Sequence, residues 1–161
     1  MKPPRAPFDS WPAHRPLGEF GHAWWAEPAV LVFQSAVSHA DVAGAIALQD
    51  LIDDVRAAAA PTIQAEGGLV CIHDFRSLKT HDSAARAKFV ERMRRRPKGY
   101  LRAAVVVLDT QNRFLRLAIE TANLVAATFA SGRVEVVSTP VDAIARTNAR
   151  PGRPGARFPG T

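Results

Sequence analysis

The sequence predicts a single α/β domain with a mostly parallel sheet of four to five strands and helices packed against it. The chain has 161 residues, the length of one ordinary domain. Residues 29–147 alternate short apolar runs with helical segments in the order β-α-β-α-β-α-β-α. Strands joined by helices usually lie parallel, with right-handed crossovers. A hydrophobic content of 47% is enough for a compact core and argues against disorder or a fibrous repeat.

The first predicted strand lies in residues 29–36, and a helix follows it. Ser38 is a candidate N-cap because Asp41 follows three residues later, as in a capping box with Asp in place of Glu. We expect this helix to end before Pro61. Its apolar residues recur near one face: Val42, Ile46, Ile52 and Val55.

The second predicted strand occupies residues 69–72, and the second helix begins at Asp82 or Ser83. Pro97 and Gly99 end that helix. Its apolar positions, four residues apart, are Ala85, Phe89 and Met93.

The third predicted strand, residues 103–108, is apolar throughout, which is typical of a strand buried on both faces. A long third helix is predicted over residues 112–131. The fourth strand, residues 134–137, precedes a short helix with Thr139 as its N-cap and proline at its first position. Residues 19–26 are the candidate for an additional antiparallel strand at the edge of the sheet.

The two ends of the chain differ from the middle. Residues 1–28 hold half of the 12 prolines and all three tryptophans, and are predicted to form an extended arm. The aromatic side chains carry too much apolar area to remain in water, so the arm either packs back on the domain or contacts a partner. Residues 148–161 are predicted to form a flexible basic tail. The candidates for an aromatic contact, including self-association, are Trp11, Trp24 and Trp25.

The net charge of +6 is compatible with an anionic partner such as nucleic acid or lipid. The densest cations share one face of the second helix and form either an anion-binding surface or a solvated outer face. No apolar run approaches the roughly 18 residues of a membrane span, and no secretory signal opens the chain. We therefore expect a cytoplasmic protein that does not span a membrane. The anion-binding candidates are Lys88, Arg92, Arg95 and Arg96.

Several kinds of chemistry find little support in the sequence. The single Cys71 excludes an intramolecular disulfide and a cysteine-rich metal site. No phosphate loop, dinucleotide fingerprint or nucleophile elbow occurs, so no cofactor is expected. Histidine–aspartate pairs at 73–74 and 81–82 do not have a recognised metal-ligand spacing, and no metal is expected. An enzyme would have to use His73, Asp74 and Asp109 as acid and base groups, and this is the least favoured hypothesis.

Polar residues collect where the predicted strands end. The carboxyl ends of parallel strands meet at one edge of a sheet, where functional groups of α/β proteins usually lie. The residues at these ends are Gln34, Ser35, Ser38, His73, Asp74, Asp109, Thr110 and Gln111.

The stretch of residues 70–85, VCIHDFRSLKTHDSAA, carries a family resemblance. It resembles the signature of STAS domains, the SpoIIAA-like family of anti-sigma-factor antagonists. That signature is an apolar strand, Asp-Leu, a few residues, a Val, and Asp-Ser-Ser-Gly at the start of a helix. Aligned without a gap, Asp74 and Asp82 match the two Asp residues, Leu78 matches the Val, and Ser83 matches the first Ser. The looser CRAL-TRIO lipid-binding fold shares the same alternation of strands and helices.

The resemblance implies a regulatory protein without its usual switch. In the family, the second Ser of the motif accepts phosphate from a kinase, but here that position is Ala84 and the Gly is Ala85. Ser83 is a neighbouring hydroxyl at a helix start, where it serves either as an ordinary N-cap or as a phosphate acceptor.

The leading hypothesis is therefore a non-enzymatic bacterial regulatory or scaffold protein that binds another protein. The residues that the resemblance places in the contact are Asp74, Arg76, Ser77, Asp82 and Ser83. The alternative is a module that binds an anionic lipid, nucleotide or nucleic acid through the basic helix face.

Overall fold

The computed structural model describes residues 2–109, 111, 120 and 132–161. The strands are β1 (His14–Pro16), β2 (Gly21–Glu27), β3 (Val30–Ser35), β4 (His39–Ala40), β5 (Leu69–Asp74), β6 (Thr80–His81), β7 (Leu101–Val107), β8 (Arg133–Val137) and β9 (Arg150–Pro151). The helices are a 3-10 turn (Phe8–Ser10), α1 (Val42–Ala58), α2 (Ala60–Ala65), α3 (Ser83–Arg94) and α4 (Pro140–Thr147).

The main sheet confirms the predicted α/β class. Its order is β1-β2-β3-β5-β7-β8, with β9 beside β2, so the sheet has seven strands where four to five were predicted. β3, β5, β7 and β8 are parallel and follow the order of the chain. β2 pairs antiparallel with β3, which confirms the additional antiparallel strand predicted in residues 19–26, but β2 is not the edge strand that was predicted, because β1 lies outside it. β1 and β9 both pair with the outer side of β2, so this strand is covered at both ends. A separate two-stranded ladder joins β4 to β6.

The start of α1 differs from the prediction. The N-cap is Asp41, whose Oδ1 accepts a hydrogen bond of 2.8 Å from Gly44 N. Ser38 lies earlier, and its carbonyl accepts a hydrogen bond of 2.8 Å from Lys79 N. The chain makes the short β4 strand between these two residues, and this strand delays the helix. After Ala58 a second helix, α2, begins and passes through Pro61, because proline is tolerated in the first turn.

The other helix predictions have different outcomes. α3 begins at Ser83 and ends at Arg94, before Pro97, as predicted. α4 has Thr139 as its N-cap, whose Oγ1 accepts from Asp142 N at 3.1 Å, with Pro140 at the first position. The helix predicted over residues 112–131 lies outside the described residues.

One face of the sheet packs against α1. Successive strand residues point to opposite faces, so alternate positions of β3 and β5 share this side. Buried strand residues such as Leu31, Phe33 and Cys71 contact the apolar stripe of α1. That stripe consists of Leu48, Leu51, Ile52 and Val55.

The N-terminal arm covers part of the opposite face. Phe8 is fully buried against Trp24, with ring centroids 5.7 Å apart, and Trp11 packs edge-on against Phe8 at 5.1 Å. The same cluster includes Ile72 of β5 and Ala143 of α4. Of the two alternatives for the arm, the structure shows the one in which it packs back on the domain.

The tryptophans predicted to form an aromatic contact have separate environments. Trp24 is only 1% exposed, so it belongs to the core and cannot act as a surface contact. Trp25, one residue later, points to the other side of β2 and is half-buried against the cluster that includes α1. Trp11 is also half-buried. The three rings therefore do not form one exposed aromatic surface.

The C-terminal segment packs on the domain, whereas the sequence predicts a flexible tail. Pro151 of β9 is the register partner of Ala26 in β2. Phe158 is buried in the cluster around α1, and the Arg15 guanidinium lies 5.8 Å from its ring centre. A strand edge offers unpaired backbone groups, and a single phenylalanine gains by burial, so even a segment without apolar periodicity can dock here.

None of the helices that the structure describes is long and apolar enough to cross a membrane.

Candidate functional site

Polar side chains from three parts of the chain meet at the carboxyl end of the sheet. Asp74 is the last residue of β5 and is fully buried. Its neighbours are Gln34 on β3, Arg5 in the arm and Arg76 in the loop that follows β5. We name these four residues the Asp74 cluster.

Arg76 holds the Asp74 carboxylate in a two-pronged contact. Its Nε and one terminal nitrogen donate to the two carboxylate oxygens, each at 2.8 Å. Gln34 Nε2 donates to the same carboxylate at 2.9 Å, and an Arg5 nitrogen lies 3.7 Å from it. Burial by itself would raise the pKa of Asp74, but the hydrogen bonds and the charge of Arg76, with help from Gln34 and Arg5, lower it. Asp74 is therefore a structural anion.

The same cluster ties the N-terminal arm to the strand ends. Arg5 N donates to Gln34 Oε1 at 2.7 Å, and Gln34 Nε2 donates back to the Arg5 carbonyl at 3.2 Å. The Arg5 guanidinium also donates to the Ser35 carbonyl at 3.2 Å. A backbone amide, a side-chain amide and a carboxylate thus form one connected network, which fixes the start of the loop after β5.

This loop, residues 75–82, is the β5–α3 loop. Leu78 is buried near its middle and packs with Val106 and Leu108. Further along, the β4–β6 ladder holds the backbone, with Asp82 N donating to the Ala40 carbonyl at 2.9 Å. The loop is therefore attached at its beginning, middle and end.

The end of the loop presents polar groups to solvent. Asp82 occupies the N-cap position of α3, but no side-chain capping bond occurs in the described structure; its Oδ1 lies 3.0 Å from His39 Nε2. His39 Nδ1 lies 2.7 Å from Thr80 Oγ1. Ser83 is the first helical residue, so it is not the N-cap, and both Ser83 and Ala84 are exposed.

The residues predicted to form the partner contact therefore divide into two groups. Asp74 is buried and supports the loop, so its carboxylate cannot touch a partner. Arg76 and Ser77 are half-buried, while Asp82 and Ser83 are exposed. Residues 79–84, from the end of the loop into the first turn of α3, form the accessible stretch, and only His81 among them is half-buried.

The basic segment, defined as Lys88, Arg92, Arg95 and Arg96, is engaged within the molecule. Lys88 and Arg95 both contact Glu91, at 2.8 and 2.5 Å. Arg92 bridges from α3 to α1, contacting Asp50 at 2.6 Å and Asp53 at 2.9 Å. The Glu91 pairs are therefore local to α3, and the Arg92 pairs join the two helices.

Arg96 differs from the prediction for this face. Its side chain is only 4% exposed. It donates to Asp53 at 2.8 Å and to Gln49 Oε1 at 2.5 Å, and its guanidinium lies 5.3 Å from the centre of the Tyr100 ring. Arg96 is a core residue, because α1 supplies oxygen partners that neutralise it. The prediction that Arg96 belongs to an exposed anion-binding surface is therefore wrong.

The residues that an acid–base enzyme would need do not converge. His73 and Asp74 are successive residues of β5, so their side chains point to opposite faces of the sheet. Asp109 is exposed, and its Oδ1 accepts from Gln111 N at 3.2 Å. Within the described parts of the chain, no group of three or more histidine, cysteine or acidic residues is arranged to hold a metal ion.

Two members of the site escaped sequence reasoning. Arg5 lies in a proline-rich arm with no motif around it, and it is 29 residues from Gln34. His39 is 43 residues from Asp82. Pairs of residues at such separations have no periodic signature in a single sequence.

Comparisons of this chain with protein-family models, curated proteins and solved structures find no match.

Proposed function

We propose that this chain is a non-enzymatic bacterial regulatory or scaffold protein with a STAS-like fold, which binds another protein through the β5–α3 loop and the first turn of α3. We also place it in the cytoplasm. The observation that carries the proposal is the construction of the loop: its base is fixed by the buried Asp74 cluster, while its far end exposes Asp82 and Ser83. A surface that is held rigid before binding loses less entropy when it binds.

The STAS signature and the structural elements coincide along this stretch. The first Asp of the signature corresponds to Asp74, the last residue of β5. The signature Val corresponds to Leu78, which is buried in the loop. The second Asp corresponds to Asp82 and the first Ser to Ser83, at the start of α3. This agreement supports the ungapped alignment with a SpoIIAA-like domain.

The absence of the usual phosphate acceptor supports constitutive binding. Ala84 takes the place of the family's second Ser and is exposed on the first turn of α3. A methyl group there cannot be phosphorylated, so a kinase could not release a partner through this position. Binding through the basic segment is not favoured, because its cations pair with carboxylates of α1 and α3.

Capture experiments with charge variants test the contact. The tagged full chain is incubated with lysate of its source organism at moderate salt, and bound proteins are quantified. Ala84→Arg places a long cation in the contact without removing a buried group. The matched control is Ala57→Arg, on the exposed side of α1 near the opposite edge of the sheet.

We expect a defined protein that the wild type and Ala57→Arg retain and that Ala84→Arg and Asp82→Lys lose by at least tenfold. If Ala84→Arg and Asp82→Lys retain every captured protein, the contact does not lie at the loop and the proposal fails.

A further inference from the structure

A cavity of about 190 Å³ lies between the sheet, α1 and α3, on the face of the sheet that packs against α1. Its wall is almost entirely apolar. Aromatic rings contribute much of it: Phe20, Phe33, Phe75 and Phe89 are among the described lining residues. Leu78 and His81 of the β5–α3 loop also line it, but the exposed Asp82 and Ser83 are not among its described lining residues, so the proposed protein contact does not by itself explain the cavity.

One polar atom in the cavity wall lacks a hydrogen-bond partner among the described residues. His73 lines the cavity and is 6% exposed, and its Nδ1 has no hydrogen-bond partner among the described residues. Leaving a buried polar group unpaired costs about 1–3 kcal/mol, and native proteins rarely retain one without a reason. A water molecule would need two to four polar partners, which this apolar wall does not readily offer.

The imidazole is also fixed and uncharged. It stacks on Phe75, with ring centres 5.4 Å apart and planes inclined by 21°. Burial lowers the pKa of His73 to about 4, so the ring is neutral at pH 7. A neutral imidazole nitrogen either accepts a hydrogen bond from a hydroxyl or donates one to a carbonyl, depending on the tautomer.

We propose that this cavity binds a small uncharged aromatic molecule with one hydrogen-bonding group, and that His73 Nδ1 is the partner of that group. The size agrees, because an apolar protein cavity of about 150 Å³ can hold benzene. The chemistry also agrees, since aromatic rings pack well against the phenylalanine wall. The inference does not rest on the proposed protein contact, although a ligand in this cavity would touch Leu78 and His81 of the same loop.

Phenol and toluene are the probes, because they share a shape and differ in one hydroxyl group. Each is titrated into the full chain at pH 7 while backbone amide and His73 ring resonances are followed by NMR. We expect both probes to shift resonances of cavity-lining residues and phenol alone to shift the His73 ring nitrogens strongly.

Two variants separate the hydrogen bond from the cavity. His73→Leu keeps the site apolar and removes its polar atom, so we expect the ratio of phenol to toluene affinity to fall by about tenfold. Ala45→Leu fills the cavity from α1, and we expect it to abolish binding of both probes. Ala43→Leu, on the exposed side of the same helix, is the matched control and should bind as the wild type does.

Three results would overturn the inference. The first would be that neither probe binds the wild-type chain, as expected if the cavity holds only water. The second would be that both probes bind Ala45→Leu with unchanged affinity, which would place them elsewhere. The third would be an equal phenol-to-toluene affinity ratio in His73→Leu and the wild type, which would remove His73 from recognition even if Ala45→Leu fails to fold.

Discussion

The Asp74 cluster and the basic segment are both rich in arginine, yet the molecule uses them differently. In the cluster, Arg5 and Arg76 share one carboxylate that has no contact with solvent. In the basic segment, Arg92 and Arg96 reach to the partly exposed carboxylates of α1 and fasten two helices together. The first arrangement fixes a loop whose far end remains accessible. The second uses its charges for internal packing.

This comparison shows that a dense run of cations in a sequence does not by itself identify a binding surface. What matters is whether the fold brings carboxylates to the same place. The basic segment looked like the stronger candidate for an anionic partner, and α1 neutralises part of it. The β5–α3 loop has fewer charges but presents Asp82 and Ser83 outward.

The largest effect is expected from Asp74→Ala. This variant leaves the Arg76 guanidinium and the Gln34 amide without their buried acceptor. We expect the unfolding free energy to fall by about 2–4 kcal/mol, somewhat less than for a fully buried pair because the Arg76 side chain is 30% exposed. Asp82→Ala is the control, because its exposed contact with His39 should contribute less than about 1 kcal/mol. Urea unfolding measures both. Similar losses for the two variants would mean that the cluster does not anchor the loop.

Arg96→Ala should be the next most damaging substitution. It removes contacts with Gln49 and Tyr100 and one of the cationic partners of Asp53. We expect a loss of about 2–3 kcal/mol, below the value for a fully buried pair because Asp53 is partly exposed and keeps its pair with Arg92. Arg95→Ala, whose side chain is 72% exposed, should cost less than about 0.5 kcal/mol. Thermal unfolding distinguishes them. Equal small effects would restore Arg96 as a free surface cation.

Acid should weaken the link between α1 and α3. Burial alone would raise the pKa of Asp53, but hydrogen bonds and charge from Arg96 and Arg92 lower it to about 2. A carboxyl group with a lowered folded pKa stabilises the protein above its ordinary value near 3.8, and this contribution is lost as the pH falls towards 2. The urea midpoint, measured at pH 5, 3 and 2, should therefore fall less steeply with decreasing pH for Asp53→Asn than for the wild type. Parallel curves would show that Asp53 is not paired.

The smallest effect is expected from Ser83→Ala. Ser83 is not the N-cap of α3 and is exposed, so its removal should change stability by less than about 0.5 kcal/mol. Thr139→Ala removes a real N-cap contact in α4 and should cost about 1 kcal/mol. The difference is measured by chemical denaturation. A cost for Ser83→Ala equal to that of Thr139→Ala would mean that the hydroxyl is needed for folding and is not reserved for a contact.

The sequence predicted the parallel strands and the observed starts of α3 and α4 well, because apolar periodicity and caps are local signals. It predicted where Asp74 lies but not its environment. The partner Gln34 is 40 residues away, and which strand lies beside β5 is a property of the whole sheet. Likewise, α1 contains Asp50 and Asp53, but nothing local shows that they face Arg92.

Chain ends were the least predictable regions. Phe8 and Phe158 are single apolar residues in proline-rich segments, and both are buried. No periodicity surrounds either one, so the sequence indicates an arm and a tail. The gain from burying one aromatic ring, together with open backbone groups along β2, is enough to dock each segment.

Photo-crosslinking in the source organism distinguishes binding at the β5–α3 loop from binding at the basic segment. A photoreactive amino acid is placed at Ala84 in the first turn of α3, at Arg95 in the basic segment, or at Ala57 on α1 as a background control. We expect a covalent adduct with one defined protein from position 84 and none above background from positions 95 and 57. Adducts from position 95 with protein or nucleic acid, and none from position 84, would show that the β5–α3 loop is not the contact.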